Sequence, residues 1–69
     1  MNKQELVRDI KSFNKDSSWL NQNDVCRYFK QGKESTRGFL SDLDFVRLGN
    51  QKKYHAADIA AKILELRNL

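Results

Sequence analysis

Arg37, Arg47, Lys52 and Lys53 fall in the middle of this chain, the last three around a Gly49-Asn50 pair. An arginine on a short helix presents a planar fork of donors that matches the major-groove edge of guanine or a phosphate. Lysines beside a hairpin tip are point charges suited to phosphate oxygens. Lys33, Ser35 and Ser41 flank Arg37 with further donors of phosphate-binding type, and Asn50 and Gln51 bring amides that fit a minor groove. This chemistry is contact with a polyanion.

The charge distribution follows the same division. The chain has 13 Lys and Arg against 9 Asp and Glu, a formal net charge of +4. Residues 1–26 carry Lys3, Arg8, Lys11 and Lys15 against Glu5, Asp9, Asp16 and Asp24, and balance. Residues 56–69 carry Lys62 and Arg67 against Asp58 and Glu65, and balance again. Arg27, Lys30, Lys33, Arg37, Arg47, Lys52 and Lys53 stand against Glu34, Asp42 and Asp44, so the whole +4 lies in residues 27–55. Excess charge confined to one segment is what a phosphate-contacting face needs; random surface lysines would serve solubility alone.

These residues need elements to hold them. Leu6, Val7, Ile10 and Phe13 recur at helical spacing and predict a leading helix over 2–14. Asn14 to Ser18 is a polar break. Asn21 is an N-cap type and Asp24 stands three residues on, with Leu20 and Val25 as a hydrophobic staple. A second helix therefore starts at 21–22, and Gly32 is expected to end it in the left-handed conformation. The third helix is short, from 33 or 34 to 41, with Thr36, Phe39, Leu40 and Leu43 inward and Arg37 outward. Residues 45–48 and 53–55 read as strands around a tip from Gly49 to Lys52, with positive φ expected at Gly49 and Asn50. Arg47 alternates with Val46 and Leu48, so it is expected to point away from the core. Ile59, Ile63 and Leu66 mark a last helix from 56 to 68. The fold class is mainly α with a small β-hairpin, in one domain over 1–69. Its expected core is Val25, Phe29, Leu40, Leu43, Phe45, Leu48, Tyr54, Ile59 and Ile63, with Trp19 and Cys26 also buried.

Other classes are disfavoured. One cysteine, Cys26, allows no internal disulfide, and one histidine, His55, has no cluster of metal-ligand types beside it. No cofactor is expected. No nucleophile–base pair or phosphate-cradling glycine loop points to an enzyme. No apolar run reaches a membrane span and no signal-peptide core follows residue 1, so a cytoplasmic setting is expected, with no membrane partner.

The order Trp19-Leu20, Val25-Cys26-Arg27-Tyr28-Phe29, Ser35-Thr36, Leu40, Leu43-Asp44-Phe45-Val46-Arg47-Leu48-Gly49, Tyr54 and Asp58-Ile59 resembles the excisionase-like, MerR-type winged helix-turn-helix. That group includes phage and transposon excisionases and prophage regulators of the AlpA kind. The resemblance covers roughly residues 19–65. It implies a helix-turn-helix over 21–42, a wing over 45–55 and a closing helix over 56–68. It further implies double-stranded DNA as partner, with an integrase or recombinase, or other copies of the chain on DNA, as accessory partners. Excisionase-type control of site-specific recombination and phage-type transcription regulation both fit. Family members often carry two basic residues in mid recognition helix; here Arg37 is followed by Gly38.

Each residue also has a plainer role. Arg37 could pair with Glu34, three residues before it. Gly38 could serve close approach of DNA or close packing against another helix. Lys52 and Lys53 could simply guard a strand edge against aggregation. Tyr54 fits the core better than base stacking, and His55 fits the surface. A protein-interaction adaptor, using the first helix and Leu69, is the alternative function.

Overall fold

The computed structural model describes residues 2–67. The expected helix end at Asn68 and the proposed contact residue Leu69 lie outside them. In order, the elements are α1 (Lys3–Phe13), β1 (Trp19–Leu20), α2 (Gln22–Phe29), α3 (Lys33–Leu40), β2 (Val46–Leu48), β3 (Gln51–His55) and α4 (Ala56–Arg67). The protein is mostly helical with a small antiparallel sheet of strand order β1-β3-β2.

The helix starts are chemical. The Asn2 side chain accepts from the Glu5 amide at 2.8 Å, opening α1. Asn21 accepts from the Asp24 amide at 2.8 Å, and the Asn21 amide donates back to Asp24 Oδ2 at 3.1 Å. This reciprocal box satisfies two orphan donors of α2 and fixes where the helix begins. Leu20 and Val25, the staple residues, are both buried. At the start of α4 the Ala56 amide donates to the Ser18 carbonyl at 2.7 Å. The Ala57 amide donates to His55 Nδ1 at 3.0 Å, so the histidine caps α4 and carries its neutral-state proton on Nε2.

All four helices and the sheet contribute to the core. Leu6, Ile10, Leu20, Val25, Leu40, Tyr54, Ala56, Ile59 and Ala60 form it. Val7, Tyr28, Phe29, Phe39, Leu43, Ile63 and Leu64 pack partly buried around it. The Tyr28 hydroxyl donates to Asp9 at 2.6 Å and ties α2 to α1. Burial, and then the Asp9 acceptor, push this phenol well above its usual pKa. Inside the α2–α3 pair, Cys26 Sγ donates to the Thr36 hydroxyl at 3.3 Å, and Thr36 Oγ1 donates to the Gly32 carbonyl at 2.9 Å. Those two bonds explain how the buried Thr36 is tolerated.

Several expectations are corrected. The left-handed residue ending α2 is Lys30, with φ 56°, and Gly32 instead caps α3 in extended backbone. The sheet has a third strand, because Leu20 pairs with Tyr54 and Trp19 with His55. Trp19 is 43% exposed rather than core, edge-on to the His55 ring at 4.8 Å. Cys26 is only half-buried. Phe45, at 44%, and Leu48, at 61%, are exposed too. All of β2 is exposed, so the alternation of Val46, Arg47 and Leu48 has no buried side. The reason is position: β2 is a sheet edge, paired to β3 alone. Phe29, Leu43 and Ile63 reach the core only in part. The hairpin turn is Gly49-Asn50, flanked by the Leu48–Gln51 pair, and of those two only Gly49 has positive φ, +61°. Gln51 and Lys52, expected in the tip, belong to β3.

Candidate nucleic-acid interface

Two elements carry the candidate cations, and the fold brings them side by side. On α3, Lys33, Arg37 and Ser41 stand four residues apart and so share one helix face. On the hairpin, Arg47 pairs directly opposite Lys52. A groove between α3 and the hairpin is lined by Gln22, Arg37, Leu40, Ser41, Phe45 and Lys52, with Tyr54 at its base. A second groove adjoins it through Gln22, Lys52 and Tyr54. It runs between the start of α2 and the hairpin, along Asn21, Asn23, Arg47, Asn50 and Gln51. A third hollow at the α2–α3 turn takes in Asn21, Asn23, Gln31 and Lys33, with Asp24 and Arg27 paired to each other. The three form one polar strip over the start of α2, the outer face of α3 and one face of the hairpin.

The electrostatics of the strip are one-sided. The ion pairs among the described residues are Arg27–Asp24 and Lys62–Asp42. Arg37, Arg47, Lys52 and Lys53 belong to neither, so Arg37 is not pairing with Glu34. Like charges directly opposite across a strand pair are unfavourable in the absence of an anion. The Arg47–Lys52 pair is therefore a cost to the isolated hairpin. Lys52 Nζ stands 4.7 Å from the centre of the Phe45 ring, which in turn leans on Tyr54 at 6.0 Å. Phe45 thus steadies an ammonium over the groove instead of filling the core. Asp42, the nearest acid to Ser41, is neutralised by Lys62. That donor first, and then Ser41, hold its carboxyl below the usual range.

The structure does not unite every candidate. Ser35 lies a half-turn from Arg37 and lines a different, apolar groove with Phe29, Thr36, Phe39, Ile63 and Leu66. Lys53 alternates with Lys52 along β3 and faces the opposite side of the sheet, across from Val46. The Ser41 hydroxyl donates back to the Gly38 carbonyl at 2.8 Å and contacts Asp42 at 2.9 Å, so its proton is already committed. A Cβ built on Gly38 would meet nothing within 4 Å, so close helix packing does not explain this glycine. Lys33, Arg37, Arg47, Asn50, Gln51 and Lys52 are the candidates that share the strip.

The strip also contains residues the composition did not flag. Gln22 lies where both hairpin grooves meet, and its Nε2 donates to the Lys33 carbonyl at 3.2 Å. That bond fixes the start of α2 against the start of α3. Asn21 and Asn23 add amides beside it. Uncharged amides in a first helical turn look like capping residues in a sequence, and Asn21 is one; their placement at the groove is visible only in three dimensions. Among the described residues, no group of three or more His, Cys, Asp or Glu could hold a metal ion, and no helix is long and apolar enough to cross a membrane. No family model, curated protein or solved structure matches the chain.

Proposed function

We propose that this chain is a double-stranded DNA-binding protein of the winged helix-turn-helix, excisionase-like kind. In this reading α2 and α3 are the helix-turn-helix and β2–β3 is the wing. The observation that carries it is the shared strip: Arg37 on α3 and the Arg47–Lys52 pair on the hairpin border adjoining grooves, with no acid paired to any of them. α3 is short and its outer face is small and polar, so it fits a major groove about 12 Å wide. Arg37 then reads a base edge, Gly38 lets the helix backbone come close, and Lys33 contacts phosphate. The hairpin lies along the next minor groove, with Arg47 and Lys52 on phosphates and Asn50 and Gln51 at the groove edge. Control of site-specific recombination and small-scale transcription regulation are the two roles such a reader serves, with a recombinase or further copies of the chain as partners on the same DNA.

The apolar groove between α2, α3 and α4 supports the adaptor as a second reading. Phe29, Phe39, Ile63 and Leu66 line it, and it meets the cationic strip at Gln31. A titration on random duplex at two salt concentrations separates the readings. DNA binding should weaken steeply with salt, by a slope of about 0.9 per phosphate contacted. Absence of measurable binding at low salt would leave the adaptor as the better account.

A further inference from the structure

Arg47 and Lys52 face each other across the hairpin, yet they do not serve the same grooves. Arg47 borders the groove beside the start of α2; Lys52 borders that groove and also the one beside α3, where Arg37 stands. The strand register shows how. Val46 pairs with Lys53, so the same ladder carried one step further sets Phe45 opposite Tyr54, on the sheet face of Arg47 and Lys52. Phe45 is then diagonal to Lys52, on the side away from the tip, and within reach of a long side chain. The contact is made. Lys52 Nζ stands 4.7 Å from the centre of the Phe45 ring, and that ring rests on the buried Tyr54, 6.0 Å away. Repulsion from Arg47 on one side and attraction by the ring face on the other draw the ammonium from the tip toward α3.

We propose that Phe45 is a positioning residue for DNA binding: its ring holds Lys52 in the α3 groove, so that Lys52 and Arg47 take separate phosphates, an inference that rests on the DNA-binding reading above. Lys52 then meets the phosphate bordering the base edge that Arg37 reads, and Arg47 meets one on the α2 side. A phosphate contact carries no sequence information of its own, but it fixes the register of α3 on the duplex. A freely moving lysine fixes register poorly. Its four-carbon stem is flexible, and ordering such a side chain at the moment of binding weakens the complex. The ring does part of that ordering beforehand. It covers one side of the ammonium, which has three donors, so N–H groups remain for the phosphate. The aromatic type is what counts, since a leucine would rest on Tyr54 in the same place without attracting a cation.

Two measurements test this. In the free protein, the proton resonances of the Lys52 ε-methylene should lie upfield of those of the other lysines, because they sit over a ring face. Phe45→Leu should return them to the ordinary position. On one duplex of mixed sequence, Phe45→Leu should weaken binding roughly 2–5-fold while keeping the salt slope of the unaltered protein, because the phosphate is still met but by a looser lysine. Phe45→Trp, with a stronger ring face, should bind at least as tightly as the unaltered protein. Affinities are compared at a temperature where circular dichroism shows every variant folded. The deciding arm is Phe45→Leu in a Lys52→Ala background, where it should change nothing further. A loss of the same size there would overturn the proposal, since the ring would be touching DNA itself. An unshifted Lys52 resonance, or undiminished affinity in Phe45→Leu, would overturn it as well. If the unaltered protein fails to bind the duplex while its Lys52 resonance is shifted, the DNA-binding reading falls and the proposal with it, although the ring contact stands.

Discussion

The helical body and the hairpin are built on opposite terms. In the body, Ile10, Leu20 and Ile59 are completely buried and every helix start is capped or anchored to a neighbour. In the hairpin, β2 is exposed throughout, two cations face each other across the strands, and Tyr54 alone of its residues is buried. Burial of apolar surface holds the body; backbone pairing to β3 holds β2. A small domain has little stability to spare. Placing the strip's side chains where they contribute nothing to the core lets them be chosen for charge and reach, including a like-charge pair the core could not accommodate.

That contrast can be broken most sharply in the body. Ile59→Ala removes a fully buried side chain from the α4 face against the sheet and should cost about 2–5 kcal/mol. Thermal melting followed by circular dichroism should show a fall of roughly 10 °C or more. A loss no larger than that of a hairpin substitution would show that the two regions are not energetically distinct. Next in size is Arg37→Ala, which should cost about 1–3 kcal/mol on a cognate site and much less on random duplex. Equal losses on both would reassign Arg37 to phosphate. Because Arg37 has no ion pair among the described residues, the melting temperature should hardly move.

Gly38→Ala tests the boundary between the regions. The added methyl meets nothing within 4 Å, so the free protein should gain up to about 1 kcal/mol of helix stability. If the α3 backbone lies against DNA, the same methyl should weaken binding, and opposite signs in melting and in titration are the expected result. The two hairpin lysines sharpen the picture inside the hairpin. Lys52→Ala should make the slope of log affinity against log salt shallower by about 0.9. Lys53→Ala, on the other sheet face, should leave the slope as it was, and both should melt within about 0.5 kcal/mol of the parent. A larger slope change from Lys53 would mean the hairpin approaches DNA by its other face.

The smallest effect belongs to the surface pair of Asp42 and Lys62. The folded carboxyl titrates below its ordinary 3.8, so its contribution is present above that pH and fades as pH falls through the lowered value. The folded ammonium titrates above its ordinary 10.5, so its share is present below that pH and is lost as pH rises past the raised value. The stability difference between parent and Asp42→Asn should therefore be flat from about pH 5 to pH 10 and vanish in acid. A difference that persists once the carboxyl is protonated would show that the asparagine acts through something other than charge.

Local chemistry was legible in the sequence and lateral placement was not. Caps such as Asn21–Asp24 are written within three residues, and the helical stripes repeat every turn, so the helices stand where periodicity puts them. β1 is two residues long and its partner is more than thirty residues away, so no local signal announces it. Phe45 and Leu48 read as core by size and alternation, which assume that a strand has a buried face, and β2, paired to β3 alone, has none; Trp19 falls on the outer side of β1, whose Leu20 is buried. Lys30 takes the left-handed conformation expected of Gly32 because α2 ends two residues earlier than its glycine. For the candidate site, residue type identified the cations, but the sheet register alone separates Lys52 from Lys53, and helix phase separates Arg37 from Ser35. Gln22 carried no signal, since its role depends on the carbonyl of Lys33.

The pairing of Leu20 with Tyr54 gives the chain an unusual economy of path. Residues 21–53 run between adjacent points of one ladder, which stand about 5 Å apart. The whole cationic strip thus lies on one segment with a common root. During folding, the hairpin and the α2–α3 pair can form early from near neighbours, whereas the root must wait for a long loop to close. The cationic strip is then assembled before its segment is closed. A linker inserted at the root, between Leu20 and Asn21, should slow folding more than the same linker inserted at Gly49-Asn50, where the chain is already turning in solvent.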